Sequence, residues 1–182
     1  MATLRSEDRD FESSVSIIAG QTLSIEAASA HNDRREKQLW QMVELKIKSG
    51  ERELVFSSEV GIEAAAMKAV SPEELQDAVE NATRVANAYL ICREPTNELT
   101  NLAVMLEEIA DGARTRLSFE PSEPSFELTI NNVAGGLRVD FFVDAGNVET
   151  GIYRWDSLGV RFFTSAANLR AFVDDFRAEF AC

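Results

Sequence analysis

The sequence predicts a single α+β domain in which antiparallel sheet, laid down as hairpins and a C-terminal meander, is packed by about three helices. Three patterns predict it. Around residues 43–56 and again over 117–163, apolar residues recur at every second position, the period of a half-buried strand. Over 75–109 and 169–180 they recur at three- and four-residue spacings, which line one face of a helix. The order is strands, helices, strands, helix, and that segregation favours antiparallel pairing over the alternating units of a parallel sheet.

The elements follow in turn. Residues 1–12 are mixed and charged and are expected to form a flexible extension, leaving 13–182 as the domain. Val15 and Ile17, then Leu23 and Ile25 across Ala19-Gly20-Gln21, read as the two strands of a hairpin. Residues 30–37 are polar and read as a loop. Val43, Leu45 and Ile47 form the inner face of a strand, Ser49-Gly50-Glu51 a turn, and 53–57 the returning strand. Ser71-Pro72-Glu73-Glu74 carries the cap, first-turn proline and following glutamate of a helix start. Leu75, Val79, Ala82, Ala86 and Tyr89 continue that helix, which ends ahead of Pro95 with Cys92 near its end. Thr96 is placed to cap a second helix with Leu99, Leu102, Leu106 and Ile109 buried, stopping at Gly112. Leu117 and Phe119, then Phe126, Leu128 and Ile130, open the meander. Residues 131–136 turn it, and Leu137, Val139, Phe141 and Val143 carry it on, with Arg138, Asp140 and Phe142 opposite. Residues 152–155 and 160–163 complete it. Ser165 caps a last helix whose stripe is Leu169, Phe172, Val173, Phe176 and Phe180.

Charge narrows the function. The 182 residues hold 18 Lys and Arg against 31 Asp and Glu, a net charge of −13. That balance opposes direct nucleic-acid binding, because phosphate contacts need cations. No apolar run approaches the ~20 residues that span a bilayer, and the charged start lacks the apolar stretch of a signal peptide. A cytoplasmic protein is expected. Residues 51–112 hold 13 acidic and 4 basic groups, net −9, against −1 before and −3 after them. There Glu73, Asp77 and Glu80 share one helical face. A solvated face accounts for them; as a functional surface they would meet a basic partner. Phe142 and Phe163 fall opposite Phe141 and Phe162, with Tyr153 and Trp155 near them in sequence. The expected arrangement covers both faces of this sheet, by helices on one and the first hairpin on the other. If one face stays open, its aromatics mark a protein interface, and Trp155 joins the acidic residues as a candidate contact.

Catalytic patterns are sparse. His31 is the only histidine and falls in a loop. With Cys92 and Cys182 it is too scattered for a zinc site or a nucleophile–histidine pair. Cys182 is expected to be exposed. There is no P-loop, and Gly135-Gly136 reads as a hairpin turn. Neither cofactor nor metal is expected. Glu120, Glu123 and Glu127 are close enough in sequence to form the carboxylate pair of a hydrolase, the enzymatic alternative.

The segment LSFEPSEPSFELTI, from Leu117 to Ile130, resembles the Phe, Glu-Pro and Phe-x-Leu stretch of the WapI-type immunity proteins. Trp40 with the strand pair over 45–56 is similar to their early tryptophan and hairpin. Residues 99–109, 136–143 and 169–176 match in order the helix before the motif, the strand after it and the closing helix. The resemblance spans roughly 40–180. It implies a small non-enzymatic cytoplasmic protein of bacterial type that binds and neutralises the toxic domain of a secreted toxin, often a nuclease. A general protein-interaction domain is the alternative. An acidic inhibitor suits a basic nuclease electrostatically.

Overall fold

A computed structural model describes residues 1–8, 10–28, 35–56, 88–92, 95–122, 126–144 and 157–182. Two antiparallel sheets and two helices make up these residues, so the α+β class and the antiparallel pairing hold. The sheet is divided in two, and the helices among the described residues are two rather than about three.

The first sheet contains β1 (Ala2–Arg5), β2 (Ser13–Ala28), β3 (Arg35–Ser49), β4 (Arg52–Phe56) and β5 (Ala88–Cys92). Its path runs β1-β2-β3-β4, and β5 pairs with β3 at residues 39–43, beyond the stretch 45–49 that β4 occupies. Four expectations change here. The chain start is not a loose extension: β1 pairs with β2 and buries Ala2 and Leu4 in the core. The expected first hairpin is one strand of 16 residues. Gly20 and Gln21 together face Met42 between the pairs Ala19–Val43 and Thr22–Gln41, so the glycine marks a bulge and not a reversal. A Cβ on Gly20 would meet the Met42 carbonyl oxygen at 2.9 Å, which is why a glycine stands there. The polar stretch before Leu39 is not all loop, because β3 starts at Arg35. Residues 88–92, including Tyr89 and Cys92, are a strand and not the end of a helix. The remainder of that expected helix lies outside the described residues.

The second sheet is the meander β6 (Arg116–Phe119), β7 (Phe126–Val133), β8 (Gly136–Asp144) and β9 (Ser157–Thr164), paired in that order. β7 runs past Asn131, so the turn shrinks to Ala134-Gly135 between the paired Val133 and Gly136. Gly135 and Gly136 have φ of +102° and +144°, conformations that suit glycine.

Helix α1 (Pro95–Ala110) starts at Pro95 itself, a position where a missing N–H costs nothing. Thr96 is therefore inside the helix and not its cap. Leu99, Leu102, Leu106 and Ile109 are buried as expected. Helix α2 (Ala166–Phe180) is capped by Ser165, whose hydroxyl oxygen accepts from the Asn168 N–H at 3.2 Å. It buries Leu169, Phe172, Val173 and Phe176. The helices pack on each other, α1 against β3, β5 and β6, and α2 against β1 and β2. All their buried residues join one core with both sheets. Cys182 is half-buried against that core and not exposed as expected. Burial pushes its thiol pKa up, which makes it a weak nucleophile.

The sheets are stitched where β1 ends. The Glu7 N–H donates to the Phe163 carbonyl at 3.0 Å, and the Thr164 hydroxyl donates to the Arg5 carbonyl at 2.6 Å. At the other end of the core the rings of Phe126 and Phe141 stack with centroids 5.4 Å apart. Both rings are fully buried. Phe141→Ala should therefore cost ~3–5 kcal/mol in urea unfolding, the range for an emptied aromatic site. A loss below ~1 kcal/mol, the range of surface substitutions, would mean that this ring is not core.

Candidate functional site

Alternation along the meander decides which side chains leave the core. Leu128, Ile130, Val139, Phe141, Val160 and Phe162 point inward. The intervening residues form lines across the outer face. Ser118, Thr129, Asp140 and Arg161 are paired in sequence across the four strands, and Arg116, Asn131, Arg138 and Phe163 form the next line. Glu127, Phe142 and Gly159 form a third. An acidic chain thus gathers three arginines on one sheet face.

Asp140 organises the middle of this face. It is only 6% exposed, and it pairs with Arg161 and with Arg138, whose Nε lies 3.0 Å from its carboxylate. The arginines keep much of their own surface in water. Arg116 is exposed and has no ion pair among the described residues. Thr129 donates its hydroxyl to the Glu127 carboxylate at 2.9 Å.

The expectation that both faces of this sheet are covered does not hold at Phe163, which is 52% exposed. Phe142 is half-buried. Its ring lies over Gly159, where any Cβ would collide with the ring and with the Phe141 carbonyl, so only glycine fits. Beside Phe163 a cleft of about 380 Å³ opens between β9 and the β1–β2 turn. Residues 159–163 form one wall. Ser6, Asp8, Phe11, Ser13 and Ser49 form the other, with Phe11 itself 56% exposed.

Local bonds hold the turn wall. The Ser6 N–H donates to the Ser13 carbonyl at 2.7 Å, and the Ser13 N–H donates back to the Ser6 hydroxyl at 2.9 Å. The Asp8 carboxylate accepts from the backbone N–H groups of Asp10 and Phe11, a self-made turn. The Glu12 carbonyl accepts from the Gly50 N–H at 2.9 Å, and its carboxylate takes a hydrogen bond from Lys48 at 2.6 Å. That bond, with the Lys48 charge and a weaker contribution from Arg5, holds the Glu12 carboxyl below its usual range.

The residues expected to form a site fare differently. Glu73, Asp77, Glu80 and Trp155 lie outside the described residues, as do His31 and Glu123. Glu120 and Glu127 are both exposed and neither lines the cleft. A second hollow of about 210 Å³ lies at the ends of α1 and α2, beside Glu107, Asp111 and Arg170. Its charges are occupied: Arg170 bonds the Ala110 carbonyl at 2.8 Å and the Asp111 carboxylate at 3.1 Å. Among the described residues no group of three or more His, Cys, Asp and Glu could hold a metal ion. No helix among them is long and apolar enough to cross a membrane.

Sequence reasoning put Phe142 and Phe163 opposite the core face but missed Arg116, Arg138 and Arg161 as a group. The available signal was their parity: each occupies an outward position of its strand.

Two outcomes follow from this geometry. Asp140→Ala strands two arginines, but both regain water, so the loss should be ~1–2 kcal/mol in chemical unfolding rather than the 3–5 of a fully buried pair. A loss above ~3 kcal/mol would show the arginines to be locked in place. Lys48→Met should raise the Glu12 carboxyl pKa toward its ordinary value, read by carboxyl-carbon NMR. The sign follows from the lowered native pKa: the pair supports the turn above the unfolded carboxyl pKa and is lost as pH falls through the native one. An unchanged Glu12 midpoint would mean that the pair does not form in solution.

Compared with known proteins, the chain matches no protein-family model, no curated protein and no solved structure.

Proposed function

We propose that this chain is a non-enzymatic immunity protein that binds and neutralises the toxic domain of a secreted toxin in the cytoplasm of the producing cell. The observation that carries a binding role is the pair of exposed rings, Phe163 and Phe11, at the mouth of one cleft. Large rings left half in water are the residue type that protein interfaces bury at their centres, with arginine the other enriched type. Arg161, Arg138 and Arg116 stand beside Phe163 on the same face. The immunity reading itself draws on the resemblance of residues 40–180 to WapI-type proteins.

Charge supports the division of labour. At −13 the whole molecule attracts a basic domain such as a nuclease from a distance, which speeds encounter. Short-range anchoring then falls to the rings, whose burial supplies the affinity that screened charges do not.

The test pairs this protein with the C-terminal domain of the toxin encoded directly upstream. Co-expression should restore growth, and calorimetry should give one-to-one binding. Phe163→Asp should weaken that binding at least ~30-fold, the loss of one anchor worth about 2 kcal/mol. Neither rescue nor binding would remove the immunity reading. Rescue with an unaltered affinity for Phe163→Asp would move the contact off this face.

A further inference from the structure

The edge of β9 carries a second kind of information, in its backbone. In the β7–β8 hairpin Val133 and Gly136 close the turn, so residues 138, 140 and 142 direct their N–H and C=O groups to β7. The odd residues of β8 therefore bond to β9, through the pairs Leu137–Thr164, Val139–Phe162 and Phe141–Val160. Even residues of β9 are used up by β8. Gly159, Arg161 and Phe163 direct their backbone groups away from the sheet. The Phe163 carbonyl confirms the direction, because it accepts from Glu7 across the gap at 3.0 Å.

That bond is a first rung with no second. After Glu7 the chain leaves β9 to close the turn at Ser13, and among the described residues nothing pairs with the outward groups of Gly159 and Arg161. These groups open into the 380 Å³ cleft. Exposed strand edges are usually blunted, since they recruit other strands. Here the blunting stops at Phe163.

We propose that β9 accepts an extended segment of the partner protein as an added antiparallel or parallel strand along Gly159–Arg161, continuing the rung that Glu7 begins. The edge supplies main-chain donors and acceptors, which bind any sequence in extended form. Selectivity comes from the flanks. On the outer face, an incoming side chain beside Arg161 meets an exposed guanidinium and is acidic. At the cleft mouth, an incoming apolar side chain is held by Phe11 and Phe163.

This inference rests on the binding reading above. It predicts the form of the contact, whereas that reading predicts its consequence. The experiment selects displayed random peptides of about seven residues, long enough to follow β9 at ~3.3 Å per residue, against the full chain. Enriched peptides should carry an acidic and an apolar residue two positions apart, on the one side of the added strand that faces Arg161 and Phe163. Synthetic versions methylated on the backbone nitrogens facing β9 should lose binding. Arg161→Pro, which deletes an outward N–H that β8 does not use, should weaken binding about tenfold more than Arg161→Ala, the effect of one backbone hydrogen bond and its neighbour. Should Arg161→Pro unfold, the methylated peptides decide alone. The inference is overturned if no peptide is enriched, or if methylation leaves affinity unchanged. A solution dimer that Arg161→Pro dissolves would assign the edge to a second copy and overturn it equally. Neutralisation without peptide capture defeats this inference and spares the immunity reading; peptide capture without neutralisation does the reverse.

Discussion

Two hydrogen bonds between residues 5–7 and residues 163–164 set the spacing of the two sheets at the cleft. They join the free edge of the first sheet to the last strand of the second. Elsewhere the sheets meet through the helices and where β2 and β3 approach β9, and such packing is less directional than a hydrogen bond. With the two bonds, the β1–β2 turn stands at a fixed distance from β9. The cleft is the space this spacing leaves, and its two exposed rings come from opposite sides of the join. The Arg5 carbonyl also takes the Asn168 side chain at 3.4 Å, so the first turn of α2 contributes to the same corner.

Much of the meander was legible in the sequence because its signals are local. Leu137, Val139, Phe141 and Val143 alternate with polar neighbours, and Ser165 precedes a helical stripe. Tertiary pairing overrode local signals elsewhere. Gly20 has the composition of a turn, yet β3 runs continuously opposite it and a bulge absorbs the extra residue. Tyr89 and Cys92 extend a helical spacing begun upstream, yet the open stretch of β3 beyond β4 takes them as a strand. Ala2 and Leu4 are too few to announce a strand among charged neighbours; β2 supplies the partner that makes them one. The site was half legible. Parity placed Phe163 off the core, but its exposure depends on what the rest of the chain leaves uncovered. The arginines meet only through a register spanning strands far apart in sequence.

The charge pattern acquires a sense from the fold. A net −13 could be spread evenly, but the outer face of the meander carries Arg116, Arg138 and Arg161 around one nearly buried carboxylate. Asp140 lowers the mutual repulsion of its two neighbours and fixes their orientation without neutralising the face. The result is a weakly cationic island within an anionic field. A partner of the proposed kind, drawn by the field, would meet the island only on close approach, where geometry and not net charge decides the fit.

The corner that closes the cleft joins residues separated by 159 positions. This has a temporal meaning. β1 and the turn after it gain β2 and β3 as neighbours early, through the β1–β2 pairing and the Gly50–Glu12 bond, but β9, the opposite wall of the cleft, is among the last elements made. During synthesis the chain is therefore blind to any ligand of this cleft until nearly all of it has been made. On the proposed binding role, an incomplete chain would not occupy a partner, and competence to bind would report that translation has passed Thr164.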